Sequence, residues 1–441
     1  MQKNLLAGDL KVQFMRYLFP AVAGNLSYGL LIFVDTVFIG RGIGSLGLAA
    51  LNVAIPVYTL VAFGMMLGIG GATASSVDMG RGDKKGRGEI FSTTIILGIG
   101  LSIIFSIFMS IYLDEICRLL GANEEIFPMV RDYVNVISKS IMFYIMPHIL
   151  TNFIRNDNNP KLTMYYLIVT STVNIVLDYL FIFPMQMGMA GAALATSLAQ
   201  FSGTMVLLTH FMKKENTLFL KIIKLKGKVI KRVVQIGASS FINEISMGII
   251  IIISNYQFFK YLGNEGVSAF SIVLNIKLLV YLVLGAFGQA MQPILSINYG
   301  AEKIERVRKT FRIGNLTMGM TSIFFYLLLI AFSTFFIRLF NRDSEQLLLI
   351  AKFGFPIYFL STIFMGINLQ LGSFFQSVEY NKVSSVLNLM RGFVIIGVLI
   401  YLLPYYLGVV GLWSSYVLAE LFTMFYAVFY YKKRFKKHHG C

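Results

Sequence analysis

The sequence predicts an all-α integral membrane protein with twelve transmembrane helices arranged as two parallel six-helix lobes. Three observations carry that expectation. Of 441 residues, 56% are hydrophobic and only 13% are charged, whereas a soluble domain carries about 25% charged residues. Water therefore cannot be the main solvent for this surface. Apolar stretches long enough to cross a bilayer recur between short polar breaks. Finally, the second half of the chain repeats the first.

A bilayer core of about 30 Å needs about 20 apolar residues per helix. Met318 to Phe336 is one such run, and Ile249 to Phe259 lies inside another. Barrel strands alternate apolar and polar residues, and these continuous runs do not. The spans read as 14–40, 48–78, 90–113, 130–152, 162–184 and 190–212, then 235–259, 267–298, 313–337, 354–378, 384–404 and 410–431. The opening residues Met1 to Leu10 lack the apolar core and cleavage site of a signal peptide, so the first span is expected to direct insertion. No soluble domain is left over.

The net charge of +17 would suit nucleic acid, but the basic residues sit in short breaks between apolar helices. That is how positive-inside topology is written, and no nucleic-acid partner is expected. Arg81 to Arg87, Lys213 to Arg232, Lys303 to Arg312 and Lys432 to Lys437 all fall on one side. Both termini are therefore expected to be cytoplasmic, in a multi-pass protein of the cell membrane. The two cysteines, Cys117 and Cys441, are too few for a disulfide framework.

The repeat is visible in two places. Gly47-Leu-Ala-Ala-Leu-Asn-Val53 lines up with Gly266-Val-Ser-Ala-Phe-Ser-Ile272, and Gly191 to Gln200 with Gly411 to Glu420. Six helices per repeat keep both units in one orientation, related by an axis along the membrane normal. The chain then divides into a lobe over 1–212, a basic linker over 213–234, and a lobe over 235–441 that ends in a basic tail.

Asn174 and Asp178 lie four apart on one helical face, and Ser171 extends the stripe. A carboxylate mid-membrane costs about 2.5–3.5 kcal/mol on insertion scales, so Asp178 should face the bundle interior. The pair is either a protonatable or cation-coordinating site, or a buried hydrogen-bonded pair that holds helices together. Asp35, near the end of the first span, is either a partner to it or an interfacial helix-end residue. If Asp35 and Asp178 share a cavity they titrate as a unit, and carboxylate, amide and hydroxyl oxygens would also suit sodium. In the second lobe Glu244, Lys277, Arg391 and Glu420 supply two acids and two bases. They form either a neutralised scaffold or a recognition site for substrate or ion.

Other motifs carry less. Gly42-Ile-Gly-Ser-Leu-Gly47 spells a dinucleotide fingerprint but follows no strand, so it reads as a turn. Asn25-Leu-Ser27 and Asn315-Leu-Thr317 match a glycosylation acceptor inside apolar segments. His148 stands as a lone histidine within a helix, while His438 and His439 belong to the cationic tail. No metal-ligand set, nucleophile with its base, or other enzymatic constellation is visible. No enzyme, cofactor or metal centre is expected. The 22 methionines, 39 phenylalanines and 23 tyrosines should mostly face lipid or packed helices, with a minority lining a permissive cavity.

With this anatomy in place, Pro20, Asp35, Gly47-Leu-Ala-Ala50, the run Gly64 to Thr73, Gly80, Asn174-Ile-Val-Leu-Asp178, Gly191-Ala-Ala-Leu-Ala-Thr196 and Gln292 to Ala301 together resemble the multidrug and toxic compound extrusion (MATE) family over almost the whole chain. The resemblance implies a monomeric cation-coupled antiporter, driven by proton or sodium, that exports amphipathic and often cationic drugs or metabolites by alternating access. It implies a first-lobe cation site at Asp35, Asn174, Asp178 and Thr196, and it favours Glu244 for a second-lobe role. The family's acidic residue in the tenth helix has no counterpart between residues 354 and 378. A lipid-linked oligosaccharide flippase of the same superfamily is the alternative.

Overall fold

The computed structural model describes residues 3–340 and 344–433. The end of the basic tail, with His438, His439 and Cys441, lies outside the described residues. Among the described residues every regular element is helical. In chain order these are α1 (Lys3–Ala7), α2 (Leu10–Gly42), α3 (Ser45–Ala54), α4 (Val61–Gly80), α5 (Lys84–Ile111), α6 (Leu113–Leu119), α7 (Phe127–Asn156), α8 (Pro160–Ile182), α9 (Gly188–Leu208) and α10 (Gly227–Gly300). They continue as α11 (Ile304–Ala331), α12 (Ser333–Arg338), α13 (Glu345–Phe359), α14 (Ser361–Ser377), α15 (Asn381–Leu389) and α16 (Ile395–Tyr431).

Local chemistry sets several boundaries. Asp9 caps α2, accepting from Lys11 N at 2.7 Å and Val12 N at 3.0 Å. Those backbone bonds hold its carboxyl below the usual carboxylate value. Asp83 caps α5 through Gly86 N at 2.8 Å, and Ser344 caps α13 through Leu347 N at 3.1 Å. Each side chain satisfies a helix N–H that has no carbonyl partner. Pro56 lies in a 3-10 segment, Ile55–Leu60, that divides the second span between α3 and α4; the hydropathy of 48–78 gave no sign of that break.

α10 is 74 residues long, which would extend roughly 110 Å as one rod, several times a bilayer's thickness. It breaks at Gly263, whose φ of 63° takes the left-handed conformation that glycine tolerates. Gly408, with φ 56°, breaks α16 in the same way. Each break separates two spans. With α3–α4 and the bent pair α13–α14 each crossing once, and α7 adding a 30-residue helix, the described chain supplies twelve crossings, six per lobe.

The packing is that of a protein in lipid. Phe19 is 70% exposed and Tyr405 78%, whereas Asn174, Asp178, Asn298 and Asn368 are fully buried. Small residues allow this inward polar packing. On α4, a Cβ at Gly64 would stand 2.8 Å from Ile145 O, and one at Gly68 only 2.4 Å from His148 O, so α4 and α7 meet backbone to backbone.

The chain forms two compact units. One contains Phe19–Phe241 with Gly300–Glu302, and the other Gly8–Leu18, Ile242–Tyr299 and the chain from Lys303. Residues 213–226 are not a free tether. Lys221 N donates to Ser92 Oγ at 2.8 Å and Lys226 Nζ meets Glu89 at 2.8 Å. From Gly227 onward the chain is already helical. Arg232 closes on Asp78 at 2.9 Å, so the basic stretch from Lys213 to Arg232 is anchored to the first unit.

Candidate functional site

In the first unit, α8 turns Thr170, Ser171, Asn174 and Asp178 to the interior, each no more than 5% exposed. α9 lies against them through alanines and Gly203, where a Cβ would meet Thr170 Oγ1 at 2.1 Å. Asn174 Nδ2 donates to Thr196 Oγ1 at 3.3 Å, and Thr196 in turn donates to Ala192 O at 3.1 Å. Asp35, on α2 and seven residues from its last residue Gly42, has its carboxyl beside that of Asp178. Asp35, half-buried, therefore converges with Asn174, Asp178 and Thr196.

Several polar atoms of this cluster lack a hydrogen-bond partner. Both Asp178 carboxyl oxygens, Asp35 Oδ1, Asn174 Oδ1, Ser171 Oγ and Thr170 Oγ1 are buried with no hydrogen-bond partner. Such orphans are uncommon in folded proteins and call for an explanation. Two like carboxyls facing each other among hydroxyl and amide oxygens suit a proton or a small hard cation.

Three tyrosines that the sequence reading did not single out adjoin the carboxyls. Tyr58 and Tyr133 share a 2.6 Å hydroxyl contact, Tyr144 reaches Ser197 Oγ at 3.2 Å, and all three lie within electrostatic range of Asp35. Tyr58 and Tyr144 rings pack edge to face at 5.7 Å. Nothing in the local sequence marked them, because tyrosines occur throughout this chain.

The second unit holds the other predicted group. Arg391 Nε donates to Glu420 Oε1 at 2.7 Å, and Asn368 Nδ2 donates to Glu420 Oε2 at 2.7 Å. Among the described residues Glu244 and Lys277 form no ion pair, so the four residues do not close into two pairs. Glu244 sits beside Asn243, which donates to Tyr281 OH at 3.0 Å. Lys277 instead lies over tyrosine rings.

A third cluster, at the end of α7, was missed. Asp157 accepts from Arg87 Nη2 at 2.8 Å and from Thr217 N at 3.0 Å, and meets His210 Nε2 at 2.8 Å. Asn159 Nδ2 lies 3.1 Å from His210 Nδ1. Arg87 and His210 are buried, so Arg87 is not the solvated loop charge that its basic neighbours suggested. Burial works against ionisation of Asp157, but His210, Arg87 and Thr217 outweigh it and hold the carboxyl below its ordinary value. Among the described residues no cluster of three or more His, Cys, Asp or Glu could hold a metal ion.

Twelve crossings around buried polar groups define a multi-pass helical membrane protein. The comparisons specify which kind. The MatE family model matches residues 20–180 and 238–403, and the chain belongs to that family. The multidrug export protein MepA of Staphylococcus haemolyticus is 23% identical over 418 residues, covering 94% of this chain and 92% of its own. MepA of Staphylococcus aureus is 23% identical over 409 residues, covering 92% and 90%. An outward-facing multidrug resistance MATE family transporter of the MOP superfamily superposes with a TM-score of 0.93 at 21% identity, covering 98% of this chain and 97% of that one. As a MATE protein the chain is a multi-pass transporter and not an enzyme.

Proposed function

We propose that this transporter is a cation-coupled antiporter that exports amphipathic drugs or metabolites from the cytoplasm by alternating access, as a monomer of the cell membrane with both termini inside. The relatives named for multidrug export support the substrate class. One observation carries the coupling: Asp178, fully buried, has two unpartnered carboxyl oxygens beside Asp35, Asn174 and Thr196. Leaving even one buried polar group unsatisfied costs about 1–3 kcal/mol. A proton or sodium ion arriving from outside would relieve that cost, and its departure would restore it.

A cation bound at this site favours whichever lobe arrangement best encloses it, and a drug favours the arrangement that best encloses the drug. By linkage each weakens the other's binding, which is the thermodynamic basis of exchange. The test is efflux from proteoliposomes under separately imposed proton and sodium gradients. Efflux driven by one of them is expected, and efflux indifferent to both would overturn the coupling.

A further inference from the structure

Lys277, on the second arm of α10, is a cation with no counter-ion among the described residues. Its Nζ lies 5.6 Å from the Tyr358 ring centroid and 5.1 Å from that of Tyr416, and among the described residues it forms no salt bridge. The acid within electrostatic reach is Glu420, and both of its carboxyl oxygens are taken, one by Arg391 and one by Asn368, each at 2.7 Å. Ring faces attract an ammonium group, but they do not accept its N–H bonds as oxygen does.

The neighbourhood holds further donors with nothing to donate to. Arg391 Nη1, Tyr358 OH and Trp413 Nε1 are buried and unpartnered. Tyr358 and Tyr416 pack at 4.7 Å, and the Trp413 ring stands 6.3 Å from Tyr358, so Tyr358 OH and Trp413 Nε1 belong to the aromatic cluster that Lys277 overlies, while Arg391 lies within electrostatic reach of Lys277. Asn368 Oδ1 also lacks a partner, but it is uncharged and does not balance the surplus. Lys277 shares this neighbourhood with Arg391 and Glu420, and Glu420 pairs with Arg391. Glu244 lies beside Asn243 and acts on Tyr281, as Arg391 and Glu420 do.

Arg391 also departs from regular helix. It sits in a π-helical turn, Met390–Val394, between α15 and α16. Such turns insert a residue, re-aim the side chains they carry, and are concentrated at functional sites.

We propose that this cluster is an anion-recognition subsite. A carboxylate, or another singly charged anionic group on an apolar body, seats on Lys277 Nζ beside the Tyr358 and Tyr416 rings, and Arg391 serves as the second cation. Glu420 and Asn368 position Arg391 rather than bind the ligand. The proposal rests on the export reading only in taking the bound compound to be transported. It selects zwitterionic or anionic amphiphiles over purely cationic ones.

The experiment uses the purified full chain in detergent and two probes, a rhodamine that bears a free carboxylate and its methyl ester, with binding read by fluorescence polarisation. The acid should bind about tenfold more tightly than the ester, one ion pair's worth of discrimination. Lys277→Gln should abolish that preference while ester binding holds. Arg391→Lys, which keeps a cation opposite Glu420, should reduce the preference without removing it.

Equal binding of acid and ester, binding of neither, or a preference that survives both substitutions would overturn the subsite. Displacement of the acid by phosphatidylglycerol but not by phosphatidylcholine would assign the anionic group to lipid, and indifference to both would assign it to a transported compound. Loss of gradient-driven efflux with the Lys277-dependent preference intact would sink the export reading and leave the subsite standing. Efflux without the preference would do the reverse.

Discussion

Asn174 gives its side-chain amide to Thr196 Oγ1 at 3.3 Å, and that one bond fixes which end of the amide remains. Its Oδ1 is left without a donor on the same buried face as Asp178, one helical turn away. Thr196 cannot return a proton, because its hydroxyl is committed to Ala192 O at 3.1 Å. α8 and α9 together thus hold these polar groups in place around Asp178.

Replacing Asp178 with Asn should separate coupling from folding. The substitution keeps the shape and supplies an N–H to neighbouring acceptors, so folded yield and thermal stability in detergent should hold or rise. Gradient-driven efflux at matched membrane expression should be lost. Asp35→Asn should give a weaker defect of the same kind, and Glu244→Gln should leave coupling intact. Undiminished gradient dependence in Asp178→Asn would remove this site from the coupling mechanism.

Asp157→Asn tests the clamp that ties Thr217 to the ends of α5 and α7. The Asp157 carboxyl is held below its ordinary value of 3.8, so its contribution to stability is present above that value and fades as pH falls through the lower folded value. Removing the charge leaves Arg87 buried and unpaired, a loss of up to about 3–5 kcal/mol. The melting temperature should drop clearly at pH 7, and the gap to wild type should narrow in acid. A constant gap across that range would mean that the ion pair contributes nothing.

The lobes, the repeat and the polar stripe of α8 were legible because lipid imposes its demands on composition and on positions one helical turn apart. Asn174, Asp178 and Asp35 stood out as charges or amides in apolar runs. Three things were not legible. Tyr58, Tyr133 and Tyr144 look like any membrane tyrosines until folding brings them to the carboxyls. His210 gains its role from Asp157, fifty-three residues earlier in the chain. The pairing of Glu420 with Arg391 rather than with Lys277 joins residues twenty-nine apart, with Arg391 in a π-helical turn that hydropathy does not encode.

The α4–α7 contact predicts a steric effect. Gly68 has backbone atoms of His148 and Ile149 within 3.0 Å of where a Cβ would stand, and backbone cannot move aside as a side-chain tip can. Gly68→Val should therefore lower folded yield sharply, whereas Gly100→Ala, with open space around it, should leave yield unchanged. Monodisperse recovery on size exclusion measures both. Equal recovery would show that the two helices are free to separate.

Breaking the Arg391–Glu420 pair should be strongly non-additive. Arg391→Met strands a buried carboxylate and Glu420→Gln a buried guanidinium, each costing up to about 3–5 kcal/mol, while the double substitution removes both charges. Melting temperatures should place the double variant above either single one. Simple additivity would show that the two side chains do not interact.

Orientation can be read directly from two exposed positions. Lys226 lies in the basic stretch before α10, its side chain 58% exposed, and Asn264 follows the break at Gly263 and is also exposed. Burial therefore cannot explain a difference in labelling between them. Cys117 is fully buried, and burial followed by the nearby Asp114 charge pushes its thiol up to about 11. It holds almost no thiolate near neutral pH and gives little background. With Cys441 replaced by Ser, an impermeant maleimide added to intact cells should label Asn264→Cys and miss Lys226→Cys, and permeabilised cells should label both. The excess of Lys and Arg on the Lys226 side demands this result, because it is that side which the positive-inside rule keeps in the cytoplasm. The opposite pattern would invert every loop and, with it, the direction of export.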